Sequence, residues 1–210
     1  MIDAQDSSGG FMILIQSKAK EQSIPSVDLS GLQITRVQFQ QLCEANPDLR
    51  MELSRDGELI IMAPTFSISG ERNSSLTGQL WVWNDRTNLG KVFDSNSGYD
   101  FAAVGGGILA PDVSWISNDR IAGIDLNQFC PISPDFIIEL RSSTDRLTTL
   151  QDKMLEYQEY GAKLGWLINP QDRIVEVYGI GKEVEILESP ISVSGEDILP
   201  EFFLNLAKIW

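Results

Sequence analysis

Apolar positions change their period along this chain, and each change marks an element. "TRVQFQQLCEANPDL" sets Thr35 ahead of Val37, Phe39 and Leu42 and halts at Asn46-Pro47, which predicts a short helix with Thr35 as N-cap. "RMELSRDGELIIMAP" reads as a hairpin, with Asp56-Gly57 as the turn between two strand-like runs. In "SGERNSSLTGQLWVWNDRTNLG", Leu76, Leu80 and Trp83 recur at helical spacing, and Gly90 punctuates the end. Short strands follow around "KVFDS" and "YDFAAV". A glycine turn at Gly105 to Gly107 then leads into an apolar strand, "ILAPDVSWIS".

The run Phe136, Ile137, Ile138 and Leu140 in "SPDFIIELRSS" predicts a strand covered on both faces, yet Glu139 interrupts it. Beyond it, Leu147, Leu150, Met154 and Tyr157 share one face of a helix that stops at Gly161, with Ser142, Ser143, Thr144 and Asp145 offering polar N-cap groups. "LGWLINP", "RIVEVYGI" and "EVEIL" predict the last strands, and "PEFFLNLAKIW" a short closing apolar helix. Trp81, Trp83, Trp115 and Trp166 lie in periodic apolar segments and read as packing residues. Strands that precede a helix returning to a further strand imply a mixed α/β, or α+β, sheet in a single domain over 31–210. Residues 1–30 lack sustained periodicity and read as an N-terminal arm, partly ordered.

Composition narrows the chemistry. Among 210 residues there is no histidine, so Ser-His-Asp and Cys-His sites and imidazole metal centres are excluded. Cys43 and Cys130 stand far apart without a CxxC spacing, which fits a reducing cytoplasm and suggests neither a zinc knuckle nor a redox pair. No basic-then-apolar leader is seen, and no segment approaches the ~20 apolar residues that span a bilayer, so a soluble protein without a membrane partner is expected. The formal charge of −14 disfavours simple attraction to nucleic acid, which would need a local basic patch or bridging cations.

Two acids break into apolar strands: Asp112 in "LAPDVSWI" and Glu139 in "FIIEL". If the strands are neighbours, the carboxylates converge and repel unless they share a proton or a cation, and Mg²⁺ is the hard cation suited to carboxylates, waters and phosphate. Alternation puts Arg141 on the face of Glu139, as a phosphate contact or as a structural partner of that acid. Lys153 falls at the edge of the apolar helix face, where it reaches back over the strand ends or snorkels into solvent. Asp112 also has a plain reading, as an acid capping the turn after Pro111.

The order Pro111-Asp112, Glu139 within its strand, "LQDKMLEY" and "GWLINP", together with "MELSRDGELIIMAP", "SGERN" and "GEDILPEFF", resembles the Uma-type putative restriction endonuclease family of the PD-(D/E)XK nuclease superfamily, from about Leu32 to Trp210. The resemblance implies a restriction endonuclease-like mixed β-sheet core flanked by helices, with an N-terminal helix and hairpin. It also implies a Mg²⁺- or Mn²⁺-dependent endonuclease that cleaves nucleic acid, DNA foremost, through a metal-activated water. On that basis Asp112 and Glu139 are metal ligands, the backbone carbonyl of Leu140 is a third, and Glu52 is an outer ligand or orients a metal-bound water. Arg141 departs from the pattern by standing where the superfamily has lysine, and Lys153 on the next helix is its substitute. Homodimerisation is implied by the family's fold. The alternative is a non-catalytic binding or assembly module that keeps the nuclease fold.

Overall fold

The computed structural model describes residues 33–210; the expected arm at 1–30 lies outside the described residues. Thr35 opens α1 (Arg36–Ala45) as expected. Its hydroxyl accepts from Gln38 N at 3.3 Å, while the Gln38 side chain accepts from Thr35 N at 2.9 Å, a reciprocal capping box. Gly57, at φ +82°, makes the turn between β1 (Arg50–Leu53) and β2 (Leu59–Met62). The long α2 (Ser67–Thr87) ends on Asn88 in the left-handed region, just before β3 (Gly90–Asp94). Trp83, Trp115 and Trp166 are buried as the sequence suggests, but Trp81 is 56% exposed.

The strand expected at "ILAPDVSWIS" is two strands. After β4 (Tyr99–Asp100) and a single 3-10 turn, β5 (Ile108–Leu109) pairs with β1 and β4 in a four-stranded sheet ordered β2-β1-β5-β4. Beyond Ala110 and Pro111, β6 (Val113–Ser117) joins a different, six-stranded sheet. Pro111 has no N–H to give a ladder, so the chain leaves one sheet there and enters the other, and Asp112 lies at the crossing.

A short α3 (Asn118–Ile121) leads on to β7 (Phe136–Leu140), α4 (Leu147–Glu159), β8 (Leu164–Asn169), β9 (Ile174–Gly179) and β10 (Glu185–Glu188). The large sheet has the order β10-β9-β8-β7-β6-β3, antiparallel throughout except for β7 and β8, which run parallel with α4 as their crossover. One face of β7 packs Phe136, Ile138 and Leu140 with Leu76, Leu80 and Trp83 of α2. The other face sets Ile137 beside Met154 and Tyr157 of α4. Glu139 shares that second face by alternation, which puts a carboxyl group under α4.

Two expectations are corrected. The polar run before α4 does not cap it: the N-cap is Arg146, with no side-chain bond, and Asp145 instead accepts from Ser142 N at 2.7 Å within the loop. The closing segment is not a helix but β12 (Phe203–Asn205), paired with β11 (Ser192–Ser194). Phe202, Leu204 and Leu206 are buried while Phe203 is exposed, a period of two that belongs to a strand.

Candidate active site

Antiparallel pairing of β6 with β7 sets Val113 opposite Ile138. One step further along the same register, Asp112 comes opposite Glu139. Leu140 N donates to Asp112 Oδ2 at 2.9 Å, so the backbone of β7 fixes one oxygen of Asp112. On the facing helix, Lys153 and Tyr157 are four residues apart and therefore stack on one side of α4. Both reach Glu139 Oε1, Lys153 Nζ at 2.9 Å and the Tyr157 hydroxyl donating at 3.1 Å.

Glu52 completes the group. A hairpin acid is ordinarily a solvent residue, but β1 lies inside its sheet and Glu52 is buried at 4% exposure. Its Oε1 accepts from Lys153 Nζ at 2.8 Å and from Ala110 N at 2.7 Å, which satisfies the backbone where the chain passes between the sheets. Arg50, two residues before Glu52 and so on the same face of β1, places Nη2 at 4.0 Å from Asp112 Oδ1.

Lys153 thus bridges Glu139 and Glu52 while Asp112 has the more distant Arg50, so three carboxyl groups face two cations and the local charge does not balance when all three are ionised. Burial, aided by Asp112 and Glu52 and opposed by Lys153, pushes the Glu139 carboxyl up to about 8. Asp112 is also raised, by burial first. For Lys153, burial works against the charge, yet Glu139 and Glu52 outweigh it and hold the ammonium above its ordinary range. The Tyr157 hydroxyl is raised well above 10 by burial and by Glu139, so it remains a donor.

Each acid has one oxygen engaged. Among the described residues, Glu139 Oε2, Glu52 Oε2 and Asp112 Oδ1 accept no hydrogen bond. Those free oxygens are hard donors of the kind Mg²⁺ and Mn²⁺ take. No set of three or more His, Cys, Asp or Glu side chains among the described residues is already gathered as a cation cage. Lys153 stands between Glu52 and Glu139 and holds them, while Mg²⁺ commonly needs only one or two carboxylates and fills its other positions with water and phosphate. The free oxygens of Asp112 and Glu139 are, in kind, the ligands such an ion takes.

The structure brings Glu52, Asp112, Glu139, the Leu140 backbone and Lys153 together. It does not bring Arg141 to the acids. Arg141 Nη1 lies 3.3 Å from Asn169 Oδ1 and 3.4 Å from Asp172 Oδ2, at the turn between β8 and β9. The Glu139–Arg141 ion pair held open by the sequence is not formed, and Lys153 takes its place. Sequence reasoning missed two polar members. Tyr157 reads as core because its ring is core, and only its spacing from Lys153 hints at the hydroxyl's role. Arg50 is signalled only by its alternation with Glu52.

A mixed sheet with one parallel crossover, carrying acids at adjoining strand ends and a helix lysine over them, is the restriction endonuclease-like fold. The chain belongs to the Uma2 family, described as putative restriction endonuclease, which it matches over residues 36–207. A crystal structure of a putative nuclease of DUF820 from Anabaena variabilis ATCC 29413 is similar at a TM-score of 0.71 and 23% identity, covering 84% of this chain and 97% of that one. At that identity the likeness is one of fold. No curated protein matches the chain. Among the described residues, no helix is long and apolar enough to cross a membrane.

Proposed function

We propose that this protein is a Mg²⁺- or Mn²⁺-dependent endonuclease that hydrolyses phosphodiester bonds in nucleic acid, with DNA the foremost substrate. One observation carries the reading: among the described residues the buried or half-buried acids Glu52, Asp112 and Glu139 are faced only by Lys153, which bridges Glu52 and Glu139, and by Arg50 at 4.0 Å from Asp112, leaving a surplus of negative charge that a proton or a cation must offset. Family membership gives the class of reaction its context.

Asp112 and Glu139 would hold the ion through their free oxygens, with the Leu140 carbonyl as a third ligand and Glu52 orienting a bound water. Once bound, the ion would supply Lewis acidity toward the phosphate and a more acidic water as nucleophile. The remaining work falls to the chain. Leu140 N holds Asp112 at a fixed angle, and Tyr157 steadies Glu139. Lys153 keeps a positive charge, nearly dry, beside the place where the phosphoryl group gains negative charge, and there it acts most strongly. Arg141 ties the end of β7 to the turn after β8 and so braces the strand that bears Glu139.

The experiment is a Mg²⁺ and Mn²⁺ titration against DNA and RNA substrates with wild type, Asp112→Asn and Glu139→Gln. Metal-dependent cleavage that both substitutions reduce by orders of magnitude supports the proposal. A wild type that binds neither ion in the millimolar range at neutral pH would overturn it in favour of the non-catalytic module.

A further inference from the structure

Among the described residues, the Arg50 guanidinium makes no hydrogen bond. Arg36 binds Asp100, Arg55 binds Glu159 and Tyr160, Arg120 binds Asp135, and Arg141 binds Asn169 and Asp172. Arg72 on α2 shares with Arg50 a buried Nε without a partner among the described residues, and only Arg50 of these two has an ion-pair approach to one of the three acids. Arg50 has only the 4.0 Å approach of Nη2 to Asp112 Oδ1, an attraction too long for donation. Its Nε is buried and lacks any partner among the described residues. A buried N–H without an acceptor is costly, and such a group is kept where something else satisfies it. The side chain is 31% exposed, so its outer edge still reaches solvent.

Its position says what that partner is. Arg50 is on the same face of β1 as Glu52, one alternation step outward from the acids and beside the free oxygen of Asp112. A planar fork of donors suits the two non-bridging oxygens of a phosphodiester, and a chain of net charge −14 needs a local cation wherever a polyanion docks. We propose that Arg50 is the substrate-binding residue that clamps a phosphate of the nucleic acid at the Asp112 edge of the site. This rests on the endonuclease reading above and gives the Asp112 edge a phosphate contact of its own, Arg141 being bonded at the β8–β9 turn.

The test compares wild type, Arg50→Gln and Arg50→Lys, with thermal melting to confirm that each folds. The probes are a labelled DNA oligonucleotide, single-stranded and duplex, and RNA of the same sequence. Arg50→Gln is expected to raise KM roughly ten- to hundred-fold with a smaller change in kcat. It should also flatten the salt dependence of binding by about one phosphate contact. Its Mn²⁺ affinity, measured by calorimetry without nucleic acid, should be unchanged or tighter, because a neighbouring cation has been removed. Arg50→Lys should keep the salt slope and recover only part of the KM. Unchanged KM and salt slope in a folded Arg50→Gln would overturn the assignment, as would loss of Mn²⁺ binding in parallel with cleavage, since Arg50 would then merely support Asp112. Failure of the endonuclease reading is visible separately, as a wild type that cleaves none of these probes, and it removes both proposals together.

Discussion

Lys153 on α4 and Glu139 on β7 meet at 2.9 Å, and the strand–helix–strand crossover is what brings them together. β7 fixes Glu139 on the face beneath α4, and the helix returns across that face before entering β8. Glu52 approaches the same ammonium from the smaller sheet, so this one side chain links the two sheets electrostatically. The site is therefore a joint of the fold as well as its candidate chemistry.

Replacing Lys153 by methionine keeps much of the stem's packing and removes the charge. Two buried carboxyl groups then lose their common cation, and breaking a buried pair from one side costs about 3 kcal/mol or more. Urea denaturation at neutral pH should show that loss in Lys153→Met. The double variant Lys153→Met with Glu52→Gln should recover part of it, because the uncompensated charge is gone. Nuclease activity should fall in both, which would separate the proposed catalytic role of Lys153 from its structural one.

The pH dependence of stability follows from Glu139. Its carboxyl titrates near 4.5 when unperturbed and is pushed up to about 8 in the fold, chiefly by burial. Between those values the folded chain binds a proton that the unfolded chain has lost, so the stability from this group is complete below about 4.5 and is lost as the pH rises through about 8. Melting temperatures in metal-free buffer should decline across that window. Glu139→Gln should flatten the decline, and a saturating divalent ion should reverse it by taking the place of the proton. A decline of the same slope in Glu139→Gln would locate the titration elsewhere.

Much of this was legible in the residues and some was not, for physical reasons. The acids Asp112 and Glu139 announce themselves because a charge inside an apolar strand is expensive, and Lys153 because it flanks a periodic face. The depth of Glu52 was hidden, since a hairpin does not reveal that another strand will cover it; β5 does so through only one register pair, Leu53 with Ile108. The break of "ILAPDVSWIS" into two sheets was marked by Pro111, but which sheet each half joins depends on distant partners. The last strand misled because "PEFFLNLAKIW" satisfies a helical and a twofold period equally well over so few residues, and pairing with β11 decided between them.

Gly107 tests how closely the small sheet must fit around Glu52. A Cβ at this position would collide with the carbonyl of Leu53, backbone that cannot rotate away, in the residue next to Glu52. Gly107→Ala should therefore cost about 1–3 kcal/mol by overpacking and should lower activity by loosening the Ala110–Glu52 bond. Gly78 offers the contrast: it lies within α2 with open space where a Cβ would go. Gly78→Ala should stabilise the fold by about 1 kcal/mol, and denaturant midpoints of the two variants should move in opposite directions.

Tyr157→Phe separates packing from chemistry at one position. The ring remains to fill the core, and only the hydroxyl that donates to Glu139 Oε1 at 3.1 Å is removed. Stability should drop by about 1 kcal/mol for the lost bond. A donor to a carboxylate favours its ionised form, so without it Glu139 should release its proton at higher pH. If ionised Glu139 is what the reaction requires, the acidic limb of the pH–activity profile should move toward alkaline pH in Tyr157→Phe, with activity recovering on the plateau. A variant that merely loses stability, its limb where the wild type has it, would return Tyr157 to the core alone.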